Sequence, residues 1–414
     1  MGDASRRNGI GGRRRGRVRP LRRPRLGAAR LKILHTADWH VGKTLRGRSR
    51  ADEHRAALDH VVDIAEREAV DLVLVAGDQF DGAVPSPESE RIVYGTLLKL
   101  AQMGARVVVI SGNHDNPRKL AALDPLLEIA GVTVASEVRR PNEGGVTRIT
   151  TRSDEKAVIA LLPFLSKRKV VRAQALMEED ADRHQVEYAD RCRRIVERLC
   201  EPFGDDTVNL VVAHLTVLGA RAGGGERGAH ILDYYVPATI FPSNAHYVAL
   251  GHLHGSQSVP FGVPVRYSGP PFALDFGEKQ EEHSVLIVDV EAGSGAKVRR
   301  VPITGGRRLR TIRGSRAELE VQAGTTGDDY LRVFVEEALA PGEADDIRDL
   351  FPNAVDVIVR PREKSEGREP SPPPPPDGDP ATLFDKYLEE RNIPSTELSR
   401  FFKELLESHY EGEL

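Results

Sequence analysis

The chain has 414 residues, 40% hydrophobic and 29% charged, with no run of 18 apolar residues, so two or three packed units are expected and a membrane-spanning protein is excluded. The net charge of −3 conceals an asymmetry: residues 1–30 hold eleven Arg and one acidic residue, Asp3, for +10, while the other 384 carry 48 basic against 61 acidic groups, for −13. Cys192 and Cys200 lie about 12 Å apart along an expected helix, beyond disulfide reach, and no secretory apolar stretch follows the arginines, so a cytoplasmic setting is expected.

Residues 1–30, rich in Arg, Gly and Pro, cannot bury a core and are expected to form a disordered tail. A nucleic-acid-binding arm is one reading of it; a dispensable extension is preferred, because the first convincing strand begins at Leu31. From there to Gly277, a single α/β domain is expected. Its buried strands are Lys32-Ile33-Leu34, Leu72-Val73-Leu74-Val75, Val107-Val108-Val109-Ile110, Leu210-Val211-Val212 and Tyr247-Val248-Ala249-Leu250, with helical stretches between them. Before the second strand, Ser49 and Asp52 are spaced like a capping box, and Leu58, Val61, Val62 and Ala65 recur at helical spacing. Residues 278–360 read as a small α+β domain, with strands at 284–290, 330–335 and 355–359 and a helix near Ala344–Leu350. Residues 361–380 read as a linker whose Pro372–Pro376 run favours an extended polyproline conformation. Residues 381–414 read as two amphipathic helices, striped by Leu383, Phe384, Tyr387 and Leu388 and by Leu398, Phe401, Phe402, Leu405 and Leu406.

Each of the five buried strands ends in residues able to bind metals. In order they are Asp38-Trp39-His40, Gly77-Asp78-Gln79-Phe80-Asp81, Gly112-Asn113-His114-Asp115, His214 and Gly251-His252-Leu253-His254. Sites in open α/β sheets lie beyond the carboxyl ends of the strands, so clusters spread over 200 positions are expected to converge. Asp38 and His40, like His252 and His254, are two apart and face the same way if their segments are extended. Asp38, Asp78, Asn113, His40, His214, His252 and His254 are too many ligands for one ion and suit two divalent ions bridged by a carboxylate, for which Asp78 is the natural choice. Oxygen and imidazole ligation without thiolate favours Mn²⁺ or Mg²⁺-like ions over Fe or Zn. His35, His54, His60, His184, His246 and His283 are read as structural or surface residues. Gly42-Lys43-Thr44 resembles the end of a P-loop, but position 37 is Ala where that motif needs Gly, so ATP binding is not expected there.

In series, these motifs resemble the calcineurin-like metallophosphoesterases. Within them the chain is most similar to the nuclease subunits that act with a coiled-coil ATPase in DNA break repair. The narrower match is carried by Leu34-His35-Thr36-Ala37-Asp38-Trp39-His40-Val41-Gly42-Lys43-Thr44-Leu45, by Tyr247 to His254, and by Tyr267-Ser268-Gly269-Pro270-Pro271 with Phe276-Gly277-Glu278. The resemblance covers about residues 31–410. It implies a layered α/β fold, two central β-sheets flanked by helices, with residues 31–277 the nuclease domain, residues 278–360 a capping domain and residues 381–414 partner-binding helices. It further implies that Asp38, His40, Asp78 and His254 hold one metal, that Asp78, Asn113, His214 and His252 hold the other, and that His114 is the catalytic histidine. Asp81 stands where some relatives have a second catalytic His, and Asp115 is either an orienting group for His114 or a turn carboxylate.

The implied activity is Mn²⁺-dependent phosphodiester hydrolysis on DNA, as a double-strand exonuclease and a single-strand or hairpin endonuclease in repair, replication and recombination. The implied partners are DNA and the ATPase subunit, with a homodimer inside a heterotetramer, in a cytoplasmic, nucleoid-associated location. A folded body of −13 is poorly suited to holding a polyanion alone, so the partner is expected to add affinity. A phosphoesterase acting on cyclic nucleotides or phosphoproteins is the alternative, since it shares all five motifs.

Overall fold

A computed structural model describes residues 30–151, 155–166, 188–224, 235–278, 282–340 and 342–360, together with 381, 384–385, 388, 396 and 398–403. The Arg-rich tail up to residue 29, His184, the linker 361–380 and most of 381–414 lie outside the described residues. In chain order the strands are β1 (Leu31–Thr36), β2 (Leu72–Ala76), β3 (Arg106–Ile110), β4 (Val132–Ala135), β5 (Val146–Thr150), β6 (Lys156–Leu162), β7 (Val208–His214), β8 (Thr216–Val217), β9 (Tyr235–Val236), β10 (Tyr247–Gly251), β11 (Gln257–Val259), β12 (Val265–Tyr267), β13 (Ser284–Val290), β14 (Lys297–Pro302), β15 (Leu309–Gly314), β16 (Tyr330–Val335) and β17 (Ala354–Val359). The first three helices are α1 (Ala51–Arg67), α2 (Pro87–Gln102) and α3 (Pro117–Ile129).

Two six-stranded sheets form the centre, in the orders β14-β13-β1-β2-β3-β4 and β11-β12-β10-β7-β6-β5. The strands that carry the motifs, β1, β2, β3, β7 and β10, are interior in these orders, which is why each reads as a continuous apolar run. Alternation along them assigns the faces: Leu72 and Leu74 meet Ile159, Leu161, Leu210 and Val212 between the sheets, while Val73 and Val75 turn outward onto Leu58, Val61 and Ile64 of α1 and Val93 and Leu97 of α2. The helix Tyr188–Cys200 covers the second sheet's outer face with Ile195, Val196 and Leu199, giving four layers, helix–sheet–sheet–helix. Cys192 and Cys200 are both buried and free on that helix.

Helix starts follow ordinary capping chemistry at α2, where Ser86 Oγ accepts from Ser89 N, and at α3, where Asn116 Oδ1 accepts from Arg118 N and Lys119 N. The capping box expected at Ser49 does not form. The residue at the cap of α1 is Arg50, which is buried, bonds Glu53 through Nε at 3.0 Å and Nη2 at 2.9 Å, and donates from Nη1 to the Ala273 carbonyl at 2.5 Å.

The boundary expected at 278 is also displaced. Segment 284–302 supplies β13 and β14, and β13 runs antiparallel to β1 from Leu31↔Val290 to His35↔Leu286. Both its faces are buried, Val285 and Ile287 toward the helices and Val288 and Val290 between the sheets. Without it β1, the strand that delivers Asp38 and His40, would be an edge. The small domain therefore begins near Leu309, with parallel strands in the order β15-β16-β17 joined by the helices Arg316–Gln322 and Glu343–Leu350 around Ile312, Leu319, Leu331, Val333 and Ile347.

The two sheets come close together where β10 ends. A Cβ on Gly251 would overlap the Ala76 carbonyl oxygen at the end of β2. Gly251→Ala is expected to destabilise the fold by about 1–3 kcal/mol through overpacking, read as a lower melting temperature; an unchanged melt would show that the sheets have room to part there.

Candidate metal centre

The loops after β1 and β2 continue side by side beyond the sheet. Asp38 N donates to the Gly77 carbonyl, His40 N to Asp78 and Val41 N to Gln79, each at 3.0 Å. Asp38 and His40 are thereby held beside Asp78. Gln79 Nε2 donates to the Ile110 carbonyl at 3.0 Å, tying the second loop to the end of β3. The two residues expected to share a direction on an extended segment do so for another reason. Asp38 (φ 55°), His40 (φ 45°), Asp78 (φ 51°) and His252 (φ 100°) all have positive φ, a conformation that L residues rarely adopt and that costs of order 1–3 kcal/mol each. Four of seven expected ligands carry such strain; the hydrogen bonds just described hold Asp38, His40 and Asp78, and the main-chain N of His252 donates to Asp38 Oδ1.

All seven converge. Asn113 Oδ1 lies 3.0 Å from His214 Nε2 and 2.8 Å from His252 Nδ1. His40 Nε2 lies 3.2 Å from His254 Nε2. Between these groups sits Asp78, whose Oδ2 is 3.5 Å from His40 Nε2 and 3.4 Å from His214 Nε2. Ligand atoms of Asp38, His40 and Asp78 lie within 4.8 Å of one another. Neighbouring ligands around a hard divalent ion at about 2.1 Å are about 3 Å apart in octahedral geometry, so these separations suit coordination. Asp38 supports the same conclusion: Oδ1 accepts from His252 N at 2.9 Å, while the buried Oδ2 has no hydrogen-bonding partner among the described residues. A donor set of carboxylate, amide oxygen and imidazole fits hard or borderline divalent cations.

Charge follows the same division. Burial holds the His40 imidazole down to about 3, so it presents a neutral ring. Burial disfavours charge on His214 too, but the Asp78 carboxylate outweighs it and the pKa rises to about 9. Burial raises Asp38 to about 7. A cation held by these groups would have to displace the proton from His214 and keep Asp38 ionised, so its binding would release protons. His214 holds its proton below pH 9 and Asp38 below pH 7; cation affinity is therefore expected to fall as pH drops from 9, and more steeply below 7, by about tenfold per pH unit for each proton displaced. Calorimetric Mn²⁺ titrations across pH 6–9 in buffers of different ionisation enthalpy measure this, and a pH-independent affinity would contradict it.

His114 stands beside this set. Its main-chain N donates to Asp78 Oδ1 at 2.8 Å, its Nδ1 lies 2.8 Å from the Asp81 carbonyl, and its ring is 4.6 Å from that of His40. Asp115 is the turn carboxylate: Oδ1 accepts from Phe80 N and Oδ2 from Gly112 N. The orienting contact on His114 thus comes from Asp81. The Asp81 side chain faces His40, with Oδ1 3.4 Å behind Nδ1. His54, expected to be merely structural, bears on the site, with ring nitrogens 2.9 Å from the carbonyls of Arg50 and His40. The available signal was its register with the Leu58, Val61 and Ala65 stripe, which puts it on the buried face of α1. His35 bonds the Tyr247 hydroxyl at 2.9 Å between the sheets, a structural role as expected.

The family profile of the calcineurin-like phosphoesterases matches residues 31–256. The SbcD component of nuclease SbcCD from Bacillus subtilis (strain 168) is 30% identical over 389 residues, 91% of this chain and 97% of the relative. Its counterpart from Rhodobacter capsulatus is 38% identical over 287 residues, 66% of this chain and 69% of the relative. That of Escherichia coli (strain K12) is 32% identical over 308 residues, 70% and 73% respectively.

Proposed function

This chain belongs to the calcineurin-like phosphoesterases and, within them, to the SbcD family, and from that premise we propose that it is the Mn²⁺-dependent DNA nuclease subunit of an SbcCD-type complex. The family uses divalent metal ions, and the chain offers His and Asp groups able to hold them. The observation that carries the proposal is the position of Asp78 Oδ2 between His40 and His214, from which it could serve two ligand sets at once. Asp38, His40, Asp78 and His254 would hold one ion, and Asp78, Asn113, His214 and His252 the other. Two such ions, when bound, would supply an activated water and neutralise the phosphoryl oxygens for in-line displacement.

The chain's own groups then do the rest. Asp78 serves both sets, and the Asp81 carbonyl fixes the His114 ring through Nδ1. His114 would donate a proton from Nε2 to the departing ester oxygen, a poor leaving group as an alkoxide.

Residues 381–414 are proposed to dock on an SbcC-like ATPase. Phe384 stacks on Phe402 with ring centroids 4.1 Å apart, while Leu398 and Phe401 stay exposed, an apolar pair suited to a partner's groove. A homodimer within a heterotetramer is the proposed assembly. Among the described residues no helix is long and apolar enough to cross a membrane.

The test is cleavage of end-labelled linear and hairpin DNA with Mn²⁺, with and without the ATPase subunit. Exonucleolytic laddering and hairpin opening, stimulated by the partner, are expected. Hydrolysis of a small chromogenic diester with none of DNA would overturn the proposal in favour of a small-molecule or phosphoprotein phosphoesterase.

A further inference from the structure

His40 and His254 face each other through Nε2 at 3.2 Å, and each has a carboxylate oxygen 3.4 Å behind Nδ1. Behind His40 it is Asp81; behind His254 it is Glu278. We infer that Glu278 is a positioning residue that fixes the tautomer and orientation of His254 as a metal ligand, an inference that rests on the dimetal reading above.

The Glu278 side chain is only 3% exposed, and a buried carboxylate is costly unless both oxygens find donors. Oε2 accepts from Leu274 N at 3.1 Å. Nothing among the described residues makes a hydrogen bond to Oε1, which points at His254 Nδ1. A carboxylate there favours the proton on Nδ1 and leaves the Nε2 lone pair facing His40 and the cation site, the arrangement by which outer carboxylates orient ligating imidazoles.

The loop that carries Glu278 is braced for the task. Arg50 bonds the Ala273 carbonyl and lies 4.6 Å from the centre of the Phe272 ring. Arg332, on β16 of the small domain, lies 4.5 Å from the centre of the Phe276 ring. Glu278 is thus held by contacts from both domains two to six residues before it in the chain. In the sequence Glu278 belongs to the Phe276-Gly277-Glu278 segment of the family resemblance, but no spacing ties it to His254.

The competing role is purely structural, a turn closed by the Leu274 hydrogen bond. Glu278→Gln separates the two, because a carboxamide has a single acceptor oxygen and cannot serve Leu274 N and His254 Nδ1 together. Full-length, metal-free protein is titrated with Mn²⁺ by calorimetry and electron paramagnetic resonance. The expected result is that Glu278→Gln weakens the ion held with His254 by about 10–100-fold, spares the other, and leaves the metal-free melting temperature unchanged. Glu278→Asp, which keeps the charge, is expected to recover part of the loss.

Imidazole ¹⁵N shifts of His254 in metal-free protein give a second readout, moving from the Nδ1–H tautomer in the parent to a mixture in Glu278→Gln. Unchanged binding of both ions with an unchanged tautomer would overturn the inference, as would equal weakening of both ions. Parent protein that binds a single ion would instead retire the two-ion reading, and Glu278→Gln would then decide the role of Glu278 by whether that ion is weakened.

Discussion

Asp78→Asn is expected to lower phosphodiester hydrolysis by about 10³-fold or more, since removing even one preorganised electrostatic contact typically costs 10²–10³, and to weaken both bound ions. The reason is its position. Oδ2 lies within 3.5 Å of both His40 and His214, and Oδ1 accepts from His114 N. Burial works to raise the pKa of this carboxyl, but the imidazoles of His214 and His114 outweigh it and keep the group well below the ordinary carboxylate range. It is therefore a charge that the two proposed ligand sets would share. Asparagine is nearly isosteric and can keep the bond from His114 N through its carbonyl, so the loss is one of charge and not of shape. Elemental analysis and cleavage of labelled DNA measure the two effects; near-normal turnover would sink the shared-carboxylate assignment.

The second large effect separates proton transfer from metal binding. His114→Leu is expected to lower turnover by about 10²–10⁴-fold, the range for a lost general acid, with metal content and DNA affinity nearly unchanged. Its contact with Asp78 runs through the main chain and survives the substitution. His252→Ala removes a ring whose Nδ1 lies 2.8 Å from Asn113 Oδ1, so metal content and turnover are expected to fall together. High Mn²⁺ is expected to restore part of the activity of His252→Ala by refilling the weakened site, and none in His114→Leu. His114 also lies within ligand distance of His40 and Asp81. A His114 variant that lost metal and was rescued by Mn²⁺ would make His114 a ligand and redraw the centre.

The seven candidate ligands and His114 were legible because each lies at, or within a few residues of, the end of a short, mostly apolar strand, and the two sheets bring those strand ends together. Spacing was a poorer guide to how they meet. Asp38 and His40 were expected on extended chain, yet both lie at positive φ, a choice made by hydrogen bonds to Gly77 and Asp78 on a neighbouring loop. By position Asp115 was as plausible an orienting group for His114 as a turn carboxylate, and nothing marked Asp81 as the orienting contact. Burial under Phe80 N and Gly112 N commits Asp115 to the turn, and Asp81 supplies the contact.

Local pattern therefore determined which residues are candidates for the chemistry and in what order, because apolar alternation and ligand-type side chains are properties of a few consecutive positions. Tertiary structure alone decided how those residues are supported. That β13 closes the first sheet against β1, that His54 holds the His40 carbonyl, and that Glu278 stands behind His254 are contacts between segments 14 to more than 200 residues apart. Pairings of that kind are set by how two sheets, helices and loops exclude water together, and no short window of sequence contains both partners.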